Sequence, residues 1–573
     1  MIADTLGSVL LFTLLLAGVG WPLAARLACT PAERLVAGVA LSWFGVFLVA
    51  WVVYVAALPH VVFWLLPLAA VAGAAVGGRA WRDVWRDPAA REMIVAQGVV
   101  TAWSIGWLAL VATYSGGAWV GDWFGHMQRT DFFLTRGPRD VLFNGFDALT
   151  SRPPLANVVF GAFLALTRSD FAHYQLSSTF LGSLAFLPAA LLVRRFLPGT
   201  AASNSDAARP AIRILVALFL VSPMFAQNAT FAWTKLHAAF FTLASFHFLL
   251  RTSAPDFPRA GILCAVTLGA ALLTHYSAGP YALVFAVVWI ARGAGRWREA
   301  AWWRETLVAA AAGFAVLATW FGWALAVYGP KGTFLTNSSV TDKAATAGAQ
   351  VLAALLNVRD TLVPHFLREV NWAFFLQQSP WGWWRDWFFQ LYQINFVFIF
   401  GSVAWLVILV ALRSAGAAAP GRIRAAWTAG LVTIAVLGVM VHGGRDGWGL
   451  AHICLQPLVL LGLVFLAARW ETLAPGWRRL AIAGATADVA LGILLQFGAQ
   501  SFLLDQWFAP HRTPAETFAS YSPHALVNWR AKLHFRRPFF GDAYAAYDVV
   551  ILALLALLLV LVLWRANRRH ARA

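Results

Sequence analysis

Residues 93–133 read MIVAQGVVTAWSIGWLALVATYSGGAWVGDWFGHMQRTDFF. No Asp, Glu, Lys or Arg occurs between Met93 and Thr113. A run of about that length crosses the hydrocarbon of a bilayer. Inside lipid every backbone N–H and C=O needs an internal partner, so the run must be a helix. It then opens through Gly116 and Gly117 into a segment carrying Asp122, His126 and Arg129. The stretch therefore describes a membrane helix that delivers ionisable groups to one face of the membrane.

The same kind of apolar run recurs along the whole chain. The spacing predicts about fifteen membrane helices, near 6–28, 34–57, 58–77, 93–113, 171–193, 213–228, 234–250, 260–274, 277–292, 305–327, 390–412, 425–442, 451–469, 479–497 and 548–564. The fold class expected is an all-α polytopic membrane protein. Of its 573 residues 60% are hydrophobic and only 12% charged, about half the charged share of a soluble domain. Period-2 alternation, the mark of a membrane β-barrel, is absent. The first run lacks a basic leader and exceeds a signal-peptide core, so it reads as a retained helix.

The net charge of +18 comes almost entirely from arginine. The basic residues lie scattered in short loops, not gathered in one patch, so no nucleic-acid partner is expected. Cys29, Cys264 and Cys454 all fall in apolar runs, which argues against a disulfide framework or a cysteine zinc site. The arginine-rich loops are 79–91, 194–213, 292–304, 413–424 and 478–479, with the tail beyond 565. All fall on one side, which the positive-inside rule makes cytoplasmic. The N-terminus is then outside and the C-terminus inside, as an odd span count requires. Three long segments, 114–170, 328–389 and 498–547, fall outside and mix Trp, Phe, His, Asp and Arg. Amphipathic helices on the outer leaflet are expected there.

In the first of these segments Asp122, His126, Arg129 and Phe133 are spaced i, i+4, i+7 and i+11 and share one helical face, while Asp131 faces the other way. A carboxylate, an imidazole and a guanidinium on one stripe can deprotonate a hydroxyl, or hold a metal and a phosphate. A solvated face with an ordinary salt bridge is the plain alternative. The segment ends in Ser151-Arg152-Pro153-Pro154-Leu155, followed by the short apolar run 156–167. That run is too short to span, so a buried or re-entrant helix beneath the loop is expected.

An acidic residue in the first long outer loop, then a basic residue before Pro-Pro-Leu, then many helices, resembles the GT-C glycosyltransferases, in particular the protein O-mannosyltransferase and aminoarabinose lipid A transferase group. The layout covers 93–330, making 1–92 an N-terminal three-helix addition and 331–573 a set of C-terminal membrane helices. The resemblance implies a bacterial inner-membrane enzyme that moves a sugar from a polyprenyl-phosphate donor to a glycan, lipid or protein acceptor outside the cytoplasm. It assigns the catalytic acid to Asp122 and a phosphate-binding role to Arg152. It makes no cofactor certain; a divalent cation, Mg or Mn, stays open. Many members carry two adjacent acids, whereas Trp123 follows Asp122 here; Asp147 is one source for a second acid.

Other ionisable residues cluster at the expected outer boundary. Lys235 opens the seventh run; a buried ammonium needs an anion, and a lipid phosphate supplies one, while an interface anchor is the bland reading. His237 lies two residues on and faces elsewhere. His275 and Tyr276 sit at a tip between two runs, at a height that suits a lipid-linked donor. His442, Arg445, Asp446 and His452 form a further outer cluster in a glycine-rich loop, where Arg445 could meet the leaving phosphate or simply pair with Asp446. The phosphate-binding candidates are thus His126, Arg129, Arg152, Lys235, His237, His275 and Arg445. Asp488, in the middle of a run, reads as a structural hydrogen-bonding group ahead of a proton relay, and the sequon at Asn228 as incidental. No HExxH, Walker A or GxGxxG at a strand–helix junction is present, so zinc hydrolysis and nucleotide use have no motif.

Three other functions compete. A secondary transporter places its polar groups near the bilayer midplane, often in inverted repeats, and no such repeat is visible. A ligase or polymerase for lipid-linked glycans fits the outer loops but not the Pro-Pro-Leu layout. A noncatalytic assembly subunit is kept open by Trp123.

Overall fold

The computed structural model describes residues 2–110, 120–143, 147–197, 205–252, 254, 256–336, 346–362, 406–407, 409–411, 430, 433, 455–493 and 548–567. Side chains at 2, 120–124, 171, 205–207, 223, 353–354, 357–362, 488, 491–493, 548 and 567 lie outside that description. The second and third outer segments beyond 362, and the runs predicted at 390–412 and 425–442, fall almost wholly outside it as well.

Among the described residues there are twenty α-helices: α1 (Ile2–Gly18), α2 (Trp21–Ala24), α3 (Pro31–Val55), α4 (Leu65–Val76), α5 (Gly78–Arg86), α6 (Pro88–Leu110), α7 (Val120–Thr135), α8 (Leu155–Leu166), α9 (Phe171–Ser183), α10 (Phe186–Phe196), α11 (Ser205–Val221), α12 (Pro223–Thr230), α13 (Lys235–Arg251), α14 (Ala260–Thr274), α15 (Gly279–Gly293), α16 (Ala300–Phe334), α17 (Ala347–Leu362), α18 (Gln456–Arg469), α19 (Pro475–Ile493) and α20 (Asp548–Asn567). Among the described residues the only β pairing is an isolated bridge between Phe143 and Asp147. Seven helices are long and apolar enough to cross a bilayer, or nine if each of two bent pairs counts as one span, among the described residues. The chain is an all-α polytopic membrane protein.

Two predicted runs depart from a single straight span, and a third continues past its expected end. The run 58–77 becomes a 3-10 turn (His60–Trp64) and α4, which bends by 67° into α5. The run 213–228 breaks by 68° between α11 and α12, where Ser222 caps the new helix by accepting from the Phe225 N–H, and Pro223 cannot continue the old ladder. The run 305–327 extends as α16 to Phe334, with a kink at Gly329 (φ 68°), a left-handed conformation that favours glycine, ahead of Pro330.

Packing is close where residues are small. A Cβ placed on Gly73 would fall 2.2 Å from the carbonyl oxygen of Gly18, so α1 and α4 touch backbone to backbone. Small residues at helix crossings serve this purpose in membranes. The pair α9–α10 forms the buried axis; an 18-residue window of Ala172–Phe196 is buried throughout. On that axis Gln97 Nε2 donates to Thr101 Oγ1 (2.8 Å) and to Ser183 Oγ (3.1 Å), tying α6 to α9.

Charge separates the two ends of the bundle. At one end Glu33 faces Arg195, His247 and Arg251, with Nε of Arg251 2.7 Å from its carboxylate. At the same end Glu92 faces Arg209, Arg213 and Arg565. Apart from Arg251, these are arginines from the loops that the sequence assigned to a single side. At the opposite end Asp4, at the start of α1, pairs with Arg168 at 3.5 Å. There Arg136, after α7, donates to the carbonyls of Val53 and Leu58 at the close of α3. The first long loop therefore caps the end away from the basic one.

Candidate functional site

The site is built on the loop from α7 to α8. Helix α7 lays its buried face on α8: a Cβ on Gly161 would lie 3.6 Å from the carbonyl oxygen of Thr130. His126, Arg129 and Phe133 do share a face, and all three are buried. Phe133 packs on Trp51 and Tyr54, which fixes the far end of α7 against α3. Asp122 is the third residue of α7, near a helix N-terminus that favours a carboxylate; its side chain lies outside the described residues.

Arg129 holds the loop together. Its guanidinium donates to the carbonyls of Gly125 (3.0 Å) and Ala148 (3.2 Å) and to Ser151 Oγ (2.9 Å). It lies 3.8 Å from a carboxylate oxygen of Asp147 and stacks over the Phe143 ring at 4.5 Å. Thr150 anchors the same loop to the kinked end of α16, donating to the Gly332 carbonyl at 2.6 Å. Pro153 and Pro154 then lead into α8, which is buried over nearly its whole length, as its apolar run requires.

His126 is buried and neutral. Burial pushes its protonation well below the ordinary imidazole range, and the charges of Arg129 and Arg152 and the neighbouring His275 push it further the same way. Its Nδ1 lies 3.2 Å from Oδ1 of Asn157 on α8. A neutral ring that donates from Nδ1 keeps an accepting lone pair on Nε2.

His275 shows the opposite tautomer. The backbone N–H of Ser277 donates to its Nδ1 at 3.0 Å, so the lone pair is there and the proton is on Nε2. Removal from water, then Lys235 and then Arg152, hold its protonation well below the ordinary range. Next to it Tyr276 donates its hydroxyl to the Thr150 carbonyl at 2.9 Å. The tip between α14 and α15 is thereby fastened to the first loop.

The half-buried Arg152 is felt by both histidines. Lys235, the first residue of α13, is buried, with Nζ 3.3 Å from the centre of the Trp233 ring, and its charge reaches His275. His237 is placed differently. It sits in the core, bridging to the Ser178 carbonyl at 3.0 Å, with Phe160 and Trp43 against its ring.

The structure thus brings His126, Arg129, Arg152, Lys235 and His275 to one mouth and leaves His237 in the core. Arg445, His442, Asp446 and His452 lie outside the described residues, as does the side chain of Asp488. His173 belongs to a local cap with Asp170 (2.7 Å). Asn228 is buried and donates to the Met224 carbonyl, which leaves its sequon no exposed amide. Asn157 and Thr150 were not singled out in the sequence. The signal for Asn157 was visible: it is the one amide within a twelve-residue apolar helix. Thr150 carried none, since its partner is 182 residues away.

What this mouth can bind follows from its donors. Three cations and two uncharged imidazoles, largely out of water, favour an anion. Mg and Mn take oxygen ligands. Among the described residues no three His, Cys, Asp or Glu side chains converge on one point, and Asp147 is already beside Arg129. The described donors do not fit a hard divalent cation.

No protein-family model and no curated protein matches the sequence. Among solved structures, ArnT from Cupriavidus metallidurans bound to undecaprenyl phosphate is similar at a TM-score of 0.46 and 16% identity, over 83% of this chain and 76% of that one. The same protein in the apo state gives 0.43 and 16%, over 81% and 75%. Similarity at this level leaves individual residues without a correspondence.

Proposed function

We propose that this chain is a membrane glycosyltransferase that moves a sugar from a polyprenyl-phosphate donor to an acceptor hydroxyl on the extracytoplasmic side of a bacterial inner membrane. The observation that carries the reading is the cationic mouth itself. Arg129, Arg152 and Lys235 gather with two neutral histidines at the end of the bundle opposite the basic loops. A lipid phosphate is an anion at membrane depth, and the positive-inside rule puts this end outside.

In this reading Arg152 and Lys235 hold the phosphate, and the Nε2–H of His275 donates to one of its oxygens. Arg129 positions the loop. Asp122 accepts the proton of the acceptor hydroxyl as its oxygen attacks the anomeric carbon. The bond from that carbon to the phosphate oxygen breaks, its electron pair leaves with the phosphate, and the cations stabilise the charge that develops. One base and direct displacement give inversion at the anomeric carbon. The activated phosphodiester supplies the driving force, so no nucleotide is needed. The acceptor is a glycan, a lipid or a protein.

The test is turnover in lipid nanodiscs with a panel of polyprenyl-phosphate sugars, followed by mass spectrometry. Sugar release that drops by orders of magnitude in Asp122→Asn, with donor binding retained, supports the assignment. Unchanged release moves the base elsewhere. A wild-type protein that binds none of the donors sinks the donor-lipid reading.

A further inference from the structure

The two histidines of the mouth carry opposite hydrogen-bonding chemistry. His275 takes the Ser277 backbone N–H on Nδ1 at 3.0 Å. A backbone N–H only donates, so the proton of this ring is on Nε2. His126 presents Nδ1 to Oδ1 of Asn157 at 3.2 Å. A carboxamide oxygen only accepts, so the proton of this ring is on Nδ1 and the lone pair on Nε2. Removal from water keeps both rings uncharged, so neither donates from both nitrogens.

Nε2 of His126 has no hydrogen-bond partner among the described residues and, unlike Nδ1 of His237, is not an enclosed atom. It is an acceptor in a mouth otherwise furnished with donors: Arg129, Arg152, Lys235 and the Nε2–H of His275. A phosphodiester offers its own oxygens as acceptors, and a ring lone pair repels them. The spacing along α7 groups His126 with the phosphate binders, yet its tautomer suits the opposite kind of partner, a hydroxyl that donates. Whose hydroxyl this is follows from Arg152. Its charge acts on both histidines, so both rings stand near one cation. The group bonded directly to a phosphate held there is the donor sugar.

We propose that His126 reads the donor sugar: its Nε2 accepts a hydrogen bond from one sugar hydroxyl, and Asn157 is the positioning residue that holds the ring in the tautomer able to do so. This rests on the glycosyl-transfer reading, in which Arg152 and His275 hold the phosphate. The mouth is then divided between its histidines, His275 for the phosphate and His126 for the sugar. An acceptor left without its donor in a buried site costs more than the bond itself contributes. A donor lipid whose sugar lacks the matching hydroxyl is therefore rejected.

The experiment compares two ligands in lipid nanodiscs: a polyprenyl-phosphate sugar and the same polyprenyl phosphate without its sugar. Dissociation constants are measured for both. His126→Leu is expected to weaken the sugar-bearing lipid about 3- to 10-fold, the weight of one neutral hydrogen bond, and to leave the bare phosphate unchanged. Asn157→Leu removes the acceptor from Nδ1, moves the proton to Nε2 and is expected to give the same split. Asn157→Asp still accepts from Nδ1 and is expected to restore the sugar-bearing lipid. His275→Leu is expected to weaken both ligands by the same factor. Equal weakening of both ligands in His126→Leu overturns the proposal, since the ring then serves the phosphate. No weakening of either, with only the KM of the acceptor raised, also overturns it, since the hydroxyl then belongs to the acceptor. Asn157→Asp no better than Asn157→Leu removes Asn157 from its positioning role. A wild-type protein that binds neither lipid sinks the glycosyl-transfer reading and this proposal together, whereas one that binds both keeps that reading whatever the variants do.

Discussion

Asn157 Oδ1 lies 3.2 Å from Nδ1 of His126, joining the loop helix α7 to the buried helix α8 beneath it. Both side chains are buried, so neither can exchange its partner for water. Asn157→Leu keeps the volume and leaves the imidazole without its acceptor. Stranding a buried polar group costs about 1–3 kcal/mol. Reversible unfolding in mixed micelles is expected to show a loss of that size. It should also show a matching loss in His126→Leu and little further loss in the double variant. Additive losses would mean that the two groups do not act as a pair.

The two histidines of the mouth give stability a pH dependence. Both have their protonation held well below the ordinary value, by removal from water first and neighbouring cations next. In the unfolded chain these rings take up protons near pH 6.5. Below that pH the unfolded state therefore binds more protons than the folded one, and stability falls as pH falls towards the folded values. The slope is up to about 1.4 kcal/mol per pH unit for each ring, and it vanishes above pH 7.5. Unfolding measured from pH 8 to pH 5 should show this slope, reduced in His126→Asn. A flat profile in the wild-type protein counts against neutral histidines at this site.

Arg129 and Arg152 separate structure from binding. Arg129 makes three hydrogen bonds within the loop and is buried, whereas Arg152 is half-buried. Arg129→Gln is expected to destabilise by roughly 2–3 kcal/mol, in line with the loss of charge-assisted hydrogen bonds, and to speed proteolysis between 136 and 151. Arg152→Gln is expected to leave unfolding unchanged and to raise KM for a polyprenyl-phosphate sugar by about 10- to 100-fold, the weight of one charged hydrogen bond. If Arg152→Gln unfolds easily and keeps its KM, the roles are reversed.

How much of this was legible in the sequence depends on the distance over which each signal acts. Apolar run length placed α3, α6, α13, α14 and α15 to within a few residues, because spanning lipid is a local requirement. The break at Ser222-Pro223 had visible residues, but a run-length reading passes over it; the run 305–327 stops just short of the kink at Gly329-Pro330, beyond which the helix continues to Phe334. The stripe of His126 and Arg129 was legible as one face. That it packs down onto α8, and not out to solvent, depends on Asn157 and on the loop at 148–151. His237 was unreadable in the same way. Its spacing from Lys235 is plain, but the Ser178 carbonyl that fixes it lies 59 residues away. Positive-inside counting put Arg195, Arg209, Arg213 and Arg565 in one group because each loop carries its own charge, while the carboxylates that collect them, Glu33 and Glu92, each look isolated in the sequence.

Glu33 shows what such a collector does. It closes a capping box with Thr30 at the start of α3, and it also meets Arg195 from α10 and His247 and Arg251 from α13. Glu33→Gln keeps the cap and the shape but removes the charge. Breaking a buried ion pair from one side costs about 3–5 kcal/mol, because the partner charges stay buried. The unfolding free energy is expected to fall by that amount. Adding Arg251→Met to Glu33→Gln should restore part of it. A double variant as unstable as the sum of its parts would mean that the cluster is not coupled.

The contact of α1 with α4 is tested by two alanines. A Cβ on Gly73 meets the Gly18 carbonyl oxygen at 2.2 Å, which is backbone and cannot swing aside, so the helices must separate. Gly73→Ala is expected to cost about 1–3 kcal/mol. Gly98 on α6 meets nothing within 4 Å, so Gly98→Ala only stiffens a helix and is expected to stabilise by about 0.5–1 kcal/mol. Both substitutions add the same methyl group to a helical glycine. Helix propensity alone therefore predicts the same gain at each, and only the close approach makes the signs differ. Equal effects at the two positions would mean that α1 and α4 do not meet through Gly18 and Gly73.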